Sequence, residues 1–304
     1  MVPWDFIARW RARCRDRQSQ FAHELAVCSI FKNEARYLDE WLTFHHGVGV
    51  GHFYLYNDGS DDDFEAVLAP WIAAGRVTLT DWTVLPQVPA YNDCIAKHRT
   101  EVRWIAFIDL DEFLFSPTEE ELPKVLARYH DAASVFVYWV LFGSAGHEVQ
   151  PGDSVIETYT ACMGHAAALA DDFDHGKVKD RSNYVTGWSR DGKSIVNPRK
   201  VKLQGVHGPR ELWFGASVDE QGRAPRHRTA DCDLPYKVLR INHYWSKSLQ
   251  EFRAKIERGS IANRTRPARN HTRWLERERM LNVDRDTTIL HIWRRIRDGG
   301  GGPR

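Results

Sequence analysis

Two carboxylates, Asp109 and Asp111, directly follow the apolar run Trp104-Ile-Ala-Phe-Ile108. In extended backbone, positions i and i+2 project to the same side. Two hard oxygen ligands on one side suit Mg²⁺ or Mn²⁺, which complete their shells with water and phosphate oxygens. A D-x-D pattern alone is common in surface loops. Its weight here comes from its position, because a strand apolar at every residue has no structural use for two carboxylates at its exit. Two further polar clusters stand in equivalent places: Lys32-Asn33-Glu34 after residues 25–31, and Asn57-Asp58-Gly59-Ser60 after residues 52–56. The second is also a good turn sequence. Facing the same cleft, Asp58 can accept a hydrogen bond from a ribose hydroxyl or a base N–H. No G-x-G-x-x-G or Walker pattern follows the first run, so a metal ion rather than a glycine-rich cradle would have to neutralise a diphosphate.

The elements that must hold these side chains alternate. Strands are predicted over 25–31, 52–56, 76–82 and 104–108. Asn33 is a plausible N-cap for a helix that places Leu38, Trp41, Leu42 and His45 on one face. Asp61 can cap a second helix with the stripe Phe64, Val67, Leu68, Trp71 and Ile72, ended by Gly75. A third helix is predicted over 91–97. This alternation predicts an α/β fold: a mostly parallel sheet with flanking helices, right-handed crossovers, and ligands at the carboxyl ends of the strands. Downstream, Thr118 and Glu121 read as a capping box for a helix with Leu122, Val125, Leu126 and Tyr129 inward. Strands are predicted over 134–142 and 238–245. Ser248 and Glu251 box a helix carrying Leu249, Phe252 and Ile256, whose N-terminus would favour an anion. The chain then turns basic, recovers two short helices, and ends in a glycine-rich tail predicted to be frayed.

Composition narrows the classes. The chain has 304 residues, 42% hydrophobic and 27% charged, which excludes dominant disorder and collagen-like repetition. Formal net charge is +1, so there is no global pull toward nucleic acid, and no nucleic-acid partner is expected. Twelve Trp suit core packing, with a few available for stacking on sugars. Cys14, Cys28, Cys94, Cys162 and Cys232 contain no C-x-x-C pair, which argues against zinc and for free thiols in a reducing compartment. No apolar run is long enough to span a bilayer. Near the N-terminus, Trp4, Ile7, Trp10 and Cys14 alternate with Arg9, Arg11, Arg13, Arg15 and Arg17. That amphipathic helix either lies on an anionic membrane surface or docks on its own domain.

Several stretches together resemble glycosyltransferase family 92 and its bacterial family 2-like relatives. They are Cys28-Ser-Ile-Phe-Lys-Asn-Glu-Ala-Arg-Tyr-Leu-Asp-Glu-Trp41, Tyr56-Asn-Asp-Gly-Ser-Asp-Asp62, Ala90-Tyr-Asn-Asp-Cys94 and Trp104-Ile-Ala-Phe-Ile-Asp-Leu-Asp-Glu-Phe113. Later matches are Phe142-Gly-Ser-Ala-Gly-His147, Lys193-Ser-Ile-Val196 and Asn242-His-Tyr-Trp-Ser-Lys-Ser248. The resemblance is intermittent across residues 25–260 and implies the GT-A fold. It also implies a nucleotide-sugar donor, a saccharide or glycolipid acceptor, a Mn²⁺ or Mg²⁺ cofactor, and inversion. By position it implies that Lys32, Asn33 and Glu34 line the base pocket and that Asp58 meets base or ribose. Asp109 would meet ribose or metal, and Asp111 metal and diphosphate. Asn92 and Lys193 are further expected donor contacts. A late histidine can complete the metal shell, for which His243 is first choice and His207 second.

Inversion needs one base to deprotonate the acceptor hydroxyl. Glu157 and Glu148 are the candidates, ahead of Asp172 and Asp174, while His147 and Ser144 are acceptor candidates. The expected organisation is a basic helix over 1–22, a catalytic domain over 23–260 divided at 116/117 into nucleotide and acceptor halves, and a helical extension over 261–304. The lack of a membrane anchor points to a cytoplasmic bacterial enzyme, either soluble or peripheral on the inner face of the membrane. Two other functions use similar parts: a sugar-phosphate nucleotidyltransferase, and a non-catalytic carbohydrate-binding scaffold.

Overall fold

The computed structural model describes residues 20–83, 86–163, 191–226, 236–259, 261, 271–300 and 302. The basic N-terminal helix, Asp172 and Asp174 lie outside the described residues, apart from residues 20–22.

The first half is a parallel α/β unit. Strands β1 (His23–Phe31), β2 (His52–Asn57), β3 (Val77–Asp81) and β4 (Val102–Phe107) pair in the order β4-β1-β2-β3. Helices α1 (Ala35–Gly47), α2 (Phe64–Ala73) and α3 (Gln87–His98) connect them. The order reverses between β1 and β4, and such a switch point opens a crevice at the carboxyl ends of the strands. β1 reads as an unbroken apolar run because both faces are covered. Leu25, Val27 and Phe31 pack into one buried cluster, while Ala26, Cys28 and Ile30 pack into another on the opposite face.

The sheet continues with mixed pairing. After β5 (Glu112–Phe115) and the short helix α4 (Leu122–Leu126) comes β6 (Ser134–Phe142), buried at every position. β8 (Gly192–Val196) runs antiparallel between β4 and β6. The chain reaches it after α5 (Val155–Thr158) and β7 (Ala161–Cys162). β9 (Val201–Gln204) and β10 (Pro209–Leu212) form a separate hairpin, and β11 (Ser217–Val218) joins β6 in parallel. β12 (Arg240–Tyr244) lies between β5 and β6, antiparallel to the first and parallel to the second. The parallel sheet expected from the alternation therefore holds over β1–β4, and the strands inserted beyond them add antiparallel pairs.

Three helices close the chain: α6 (Leu249–Arg258), α7 (His271–Leu281) and α8 (Thr288–Asp298), with β13 (Asp284–Arg285) before the last. Trp274, Leu281, Ile289, Ile292, Trp293 and Ile296 join the main buried cluster together with α1 and β5. No described helix is long and apolar enough to cross a membrane. Cys28, Cys94 and Cys162 are buried free thiols.

Local chemistry moved several boundaries. Asn33 does not cap α1. Its backbone takes φ 50°, Glu34 is the N-cap residue, and the Asn33 amide oxygen accepts from Asp61 N at 2.9 Å. Asp61 likewise does not cap α2, whose N-cap residue is Asp63. Glu121 precedes α4 without a side-chain cap, because Ser116 Oγ takes the amides of Thr118 and Glu119 instead. The box at Ser248 and Glu251 forms as expected.

Candidate active site

The crevice at the β1/β4 switch holds a cavity of about 250 Å³ whose lining includes Glu34, Asp109, Asp111, Lys193, His207 and His243. They arrive on several different elements. Asp109 and Asp111 leave β4 in a turn closed by Glu112 N donating to Asp109 O at 3.0 Å. The backbone between them is therefore not extended, and the two carboxylates have separate partners. Asp109 Oδ1 accepts from Gln87 Nε2 at 2.7 Å and Tyr91 Oη at 3.2 Å, while Oδ2 takes Lys193 Nζ at 2.9 Å. Asp111 pairs with Lys255 Nζ through Oδ2, which also lies 3.6 Å from His243 Nε2.

Glu112 is the residue whose part was missed. It opens β5 and is fully buried. Helix α1 clamps this strand: Trp41 Nε1 donates to Glu112 O at 2.9 Å, and His45 Nε2 accepts from Leu114 N at 3.0 Å. His45 can accept because its Nδ1 faces Trp41 O at 2.8 Å and burial pushes the ring down to about 3, so it is neutral. Trp41 and His45, which share a helical face in the sequence, are thus hydrogen-bonding anchors as well as core. Glu112 Oε2 accepts from Asp109 N at 3.1 Å. Glu112 Oε1 is buried, has no hydrogen-bond partner among the described residues, and lies 3.8 Å from His243 Nδ1.

Burial and charge act in opposition here. Burial would raise Asp109, but the Lys193 ammonium overcomes it and holds the carboxyl below the ordinary range. Burial is likewise overcome at Asp111, by Lys255 and His243, and that carboxyl is held well below it. At Glu112 burial prevails over Lys193, 3.8 Å away, and pushes the carboxyl well up. Burial also lowers His243, against the pull of Asp111.

Asp111, Glu112 and His243 each offer one ligand atom, all within 4.8 Å of one another. Two carboxylates and an imidazole form a donor set compatible with Mn²⁺ or Mg²⁺, and the unpartnered Glu112 Oε1 suits such an ion. Asp109, expected as a ligand, is not one of this group, and its two oxygens meet Gln87, Tyr91 and Lys193.

The remaining expected residues are not brought into this cavity. Asp58 directly follows β2 and is buried, with its amide donating to Phe31 O at 2.8 Å. Asn92 fastens α3 to β9, donating to Gln204 O at 2.9 Å and accepting from Gln204 N at 2.9 Å. Lys32 offers its carbonyl to Arg258. Asn33 lines a neighbouring cavity of about 490 Å³ shared with Glu34, Lys247, Lys255 and Arg258. Glu157 pairs with Arg297 on α8, and Glu148 lines a third, separate hollow. Ser144 bonds Glu278 through Oγ, and His147 N donates to Ser144 O at 3.1 Å. The N-terminus of α6 is occupied by its own box, with Ser248 N on Glu251 Oε2 at 3.0 Å. It is the C-terminal turn of α6, through Lys255 and Arg258, that reaches the cavity. Two cations three apart at a helix end look like ordinary dipole partners, and nothing else in the sequence marks them.

A family model described as glycosyltransferase family 92 matches residues 23–275. A glycosyltransferase family 92 protein of Ricinus communis is 29% identical over 273 residues, covering 78% of this chain and 47% of that protein. A galactan beta-1,4-galactosyltransferase of Arabidopsis thaliana is 27% identical over 209 residues, covering 64% and 37%. The matched stretches thus span less than half of each relative. These relatives are plant proteins and lend no support to the bacterial origin expected from the sequence. Among solved structures, S. aureus TarS 1–349 is similar with a TM-score of 0.36 and 12% identity, over 58% of this chain and 47% of that one.

Proposed function

The chain belongs to glycosyltransferase family 92, and from that premise we propose that it moves a sugar from a nucleotide-sugar donor to a hydroxyl of a saccharide or glycolipid acceptor, with inversion, on a GT-A fold. One observation carries this reading. Asp109, Asp111, Glu112 and His243 converge with Lys193, Lys255 and Arg258 in one crevice at the strand switch point. Acids to bind a metal ion and cations to bind a diphosphate are the complement of a nucleotide-sugar. The nucleotidyltransferase alternative lacks its glycine-rich loop, since Asn33 and Glu34 occupy the turn after β1.

In this reading Ile30, Glu34 and Gln87 face the nucleoside, and Asp109 presents a carboxylate to the ribose. Asp111 and His243, with Glu112, would hold the Mn²⁺ or Mg²⁺ ion. When bound, that ion supplies positive charge where the leaving diphosphate becomes negative. Lys193 and Lys255 add fixed positive charge on the same side. Lys32, Asn33, Asp58 and Asn92 are assigned to the frame around the nucleoside rather than to donor contacts. Galactose is the first donor sugar to test, because one relative is a galactan beta-1,4-galactosyltransferase.

Thermal stabilisation by UDP-, GDP- and dTDP-sugars, each with Mn²⁺ and with EDTA, tests the reading. A ligand of the folded state raises Tm by mass action. A Mn²⁺-dependent shift with one nucleotide is expected. No shift with any of them would overturn the donor assignment.

A further inference from the structure

His207 sits in the turn of the β9–β10 hairpin, where Gly205 N donates to Gly208 O at 2.9 Å. The turn is pressed onto β8: a Cβ on Gly208 would stand 2.7 Å from Ser194 Oγ. A rigid turn holds a side chain more accurately than a free loop. The ring stands edge-on to Trp139, with centroids 5.4 Å apart, and lines the cavity beside Asp109, Lys193 and His243.

Its two nitrogens have different surroundings. Nδ1 lies 2.9 Å from Gly192 O and 3.5 Å from Asp191 Oδ1. A carbonyl oxygen can only accept, so Nδ1 carries the proton and Nε2 keeps its lone pair. Asp191 is buried, and its Oδ1 is fixed by Gly192 N at 3.0 Å. The Gly192 carbonyl holds the Nδ1 proton, and the buried Asp191 carboxylate 3.5 Å away is placed to stabilise the ring once Nε2 takes up a proton, which leaves Nε2 as the base. The other cavity acids are engaged: Glu34 with Arg258, Asp109 with Lys193, Asp111 with Lys255. Glu112 is fully buried.

Resting on the proposed glycosyl transfer, we propose that His207 Nε2 is the catalytic base that takes the acceptor hydroxyl proton, with Asp191 as its positioning residue. The acceptor O–H proton passes to Nε2 as the acceptor oxygen bonds the anomeric carbon. The bond from that carbon to the diphosphate oxygen breaks, and its electron pair leaves with the nucleoside diphosphate. The imidazolium so formed lies beside Asp191. In the free enzyme, burial and Lys193 lower the ring, while Asp191, the Gly192 carbonyl and Asp109 raise it; burial prevails and the ring is neutral at pH 7.

The test uses the full chain with Mn²⁺ and UDP-galactose, or whichever member of the nucleotide-sugar panel stabilises it. Hydrolysis, with water as acceptor, removes the need to know the saccharide. His207→Gln should lower turnover by about 100-fold or more while keeping the donor-induced Tm shift. Added imidazole should restore part of the turnover of His207→Ala. Asp191→Asn should lower kcat more than it changes KM and should move the titration of the His207 ring, followed by NMR, to lower pH while leaving the tautomer unchanged. A wild-type ring protonated at Nε2 at pH 7, or a His207→Gln enzyme with at least half of wild-type turnover, overturns the assignment. A wild-type chain that binds no member of the panel strikes at glycosyl transfer itself, and the NMR tautomer then still decides whether the dyad exists.

Discussion

Arg258 Nη1 stands 2.9 Å from Glu34 Oε1, in a pair whose side chains are 12% and 8% exposed. The same guanidinium donates to Lys32 O at 2.8 Å. These two contacts tie the last turn of α6 to the loop after β1, across the wall shared by the two neighbouring cavities. More than two hundred residues of chain separate these segments, and the pair joins them together with the bond from Tyr37 Oη to Glu251 Oε1 at 2.7 Å.

Removing one partner of such a pair leaves a buried charge uncompensated. Arg258→Ala should cost about 3 kcal/mol or more of stability, read from the urea midpoint. Glu34→Gln combined with Arg258→Met should recover most of that loss. A double variant as unstable as the single one would show that the pairing is not the cause.

Asp111→Asn keeps the shape and removes the charge that faces Lys255 and His243. The far-ultraviolet circular dichroism spectrum should be unchanged, and the Mn²⁺-dependent part of the donor Tm shift should disappear. Turnover should fall by about 100-fold or more. A variant that keeps its Mn²⁺-dependent shift would remove Asp111 from the metal set.

The Arg240–Asp286 pair gives a pH prediction away from the site. Nη1 and Oδ2 are 2.8 Å apart, both side chains nearly buried. Burial would raise Asp286, but its bond to Arg240 outweighs this and lowers the carboxyl below its ordinary value of 3.8. A depressed folded-state value means the stabilisation is fully present above the unfolded value and is lost as pH falls through the folded one. Wild-type stability should therefore fall below about pH 4. Asp286→Asn should be destabilised by about 3 kcal/mol at pH 7 and should lose less than wild type on going to pH 3. Parallel urea curves for the two proteins at both pH values check this; an equal loss would refute it.

Gly192 has no room for a side chain. A Cβ there would fall inside the van der Waals contact of the Val137 carbonyl oxygen, across the β6–β8 ladder. Backbone cannot yield as the end of a flexible side chain can. Gly192→Ala should therefore lower Tm by several degrees or more and weaken donor binding through the displaced Lys193. A variant with wild-type Tm would mean that the two strands separate more easily than their register implies.

The apolar runs and helical stripes of residues 25–108 carry the parallel unit openly, because period-two burial on both faces and the period of α1 leave clear marks. The D-x-D site was legible as a location but not as a geometry. An i, i+2 relation assumes extended backbone, whereas the chain turns at Asp109 to enter β5, so Asp111 meets His243 and Glu112 while Asp109 meets Lys193. Lys193 and His243 were identifiable through the family resemblance. Lys255, Arg258 and Gln87 were not, since each reaches the crevice by tertiary packing of a helix whose own sequence is ordinary. Asn92 shows the reverse case: inside a matched motif, its amide is spent joining α3 to β9.

Asp191, Gly192 and Lys193 stand in immediate succession at the start of β8, Asp191 just before it. The second holds His207 through its carbonyl, the first flanks that ring at 3.5 Å, and the third holds Asp109. One strand thus addresses the acceptor side and the donor side of the crevice within three residues, and its pairing with β4 and β6 sets both at once. A slip of a single residue along those ladders would exchange inward for outward and disable both sides together. Length changes in the loops around the crevice can alter what enters it without touching this alignment, whereas an insertion within 191–193 has no neutral outcome.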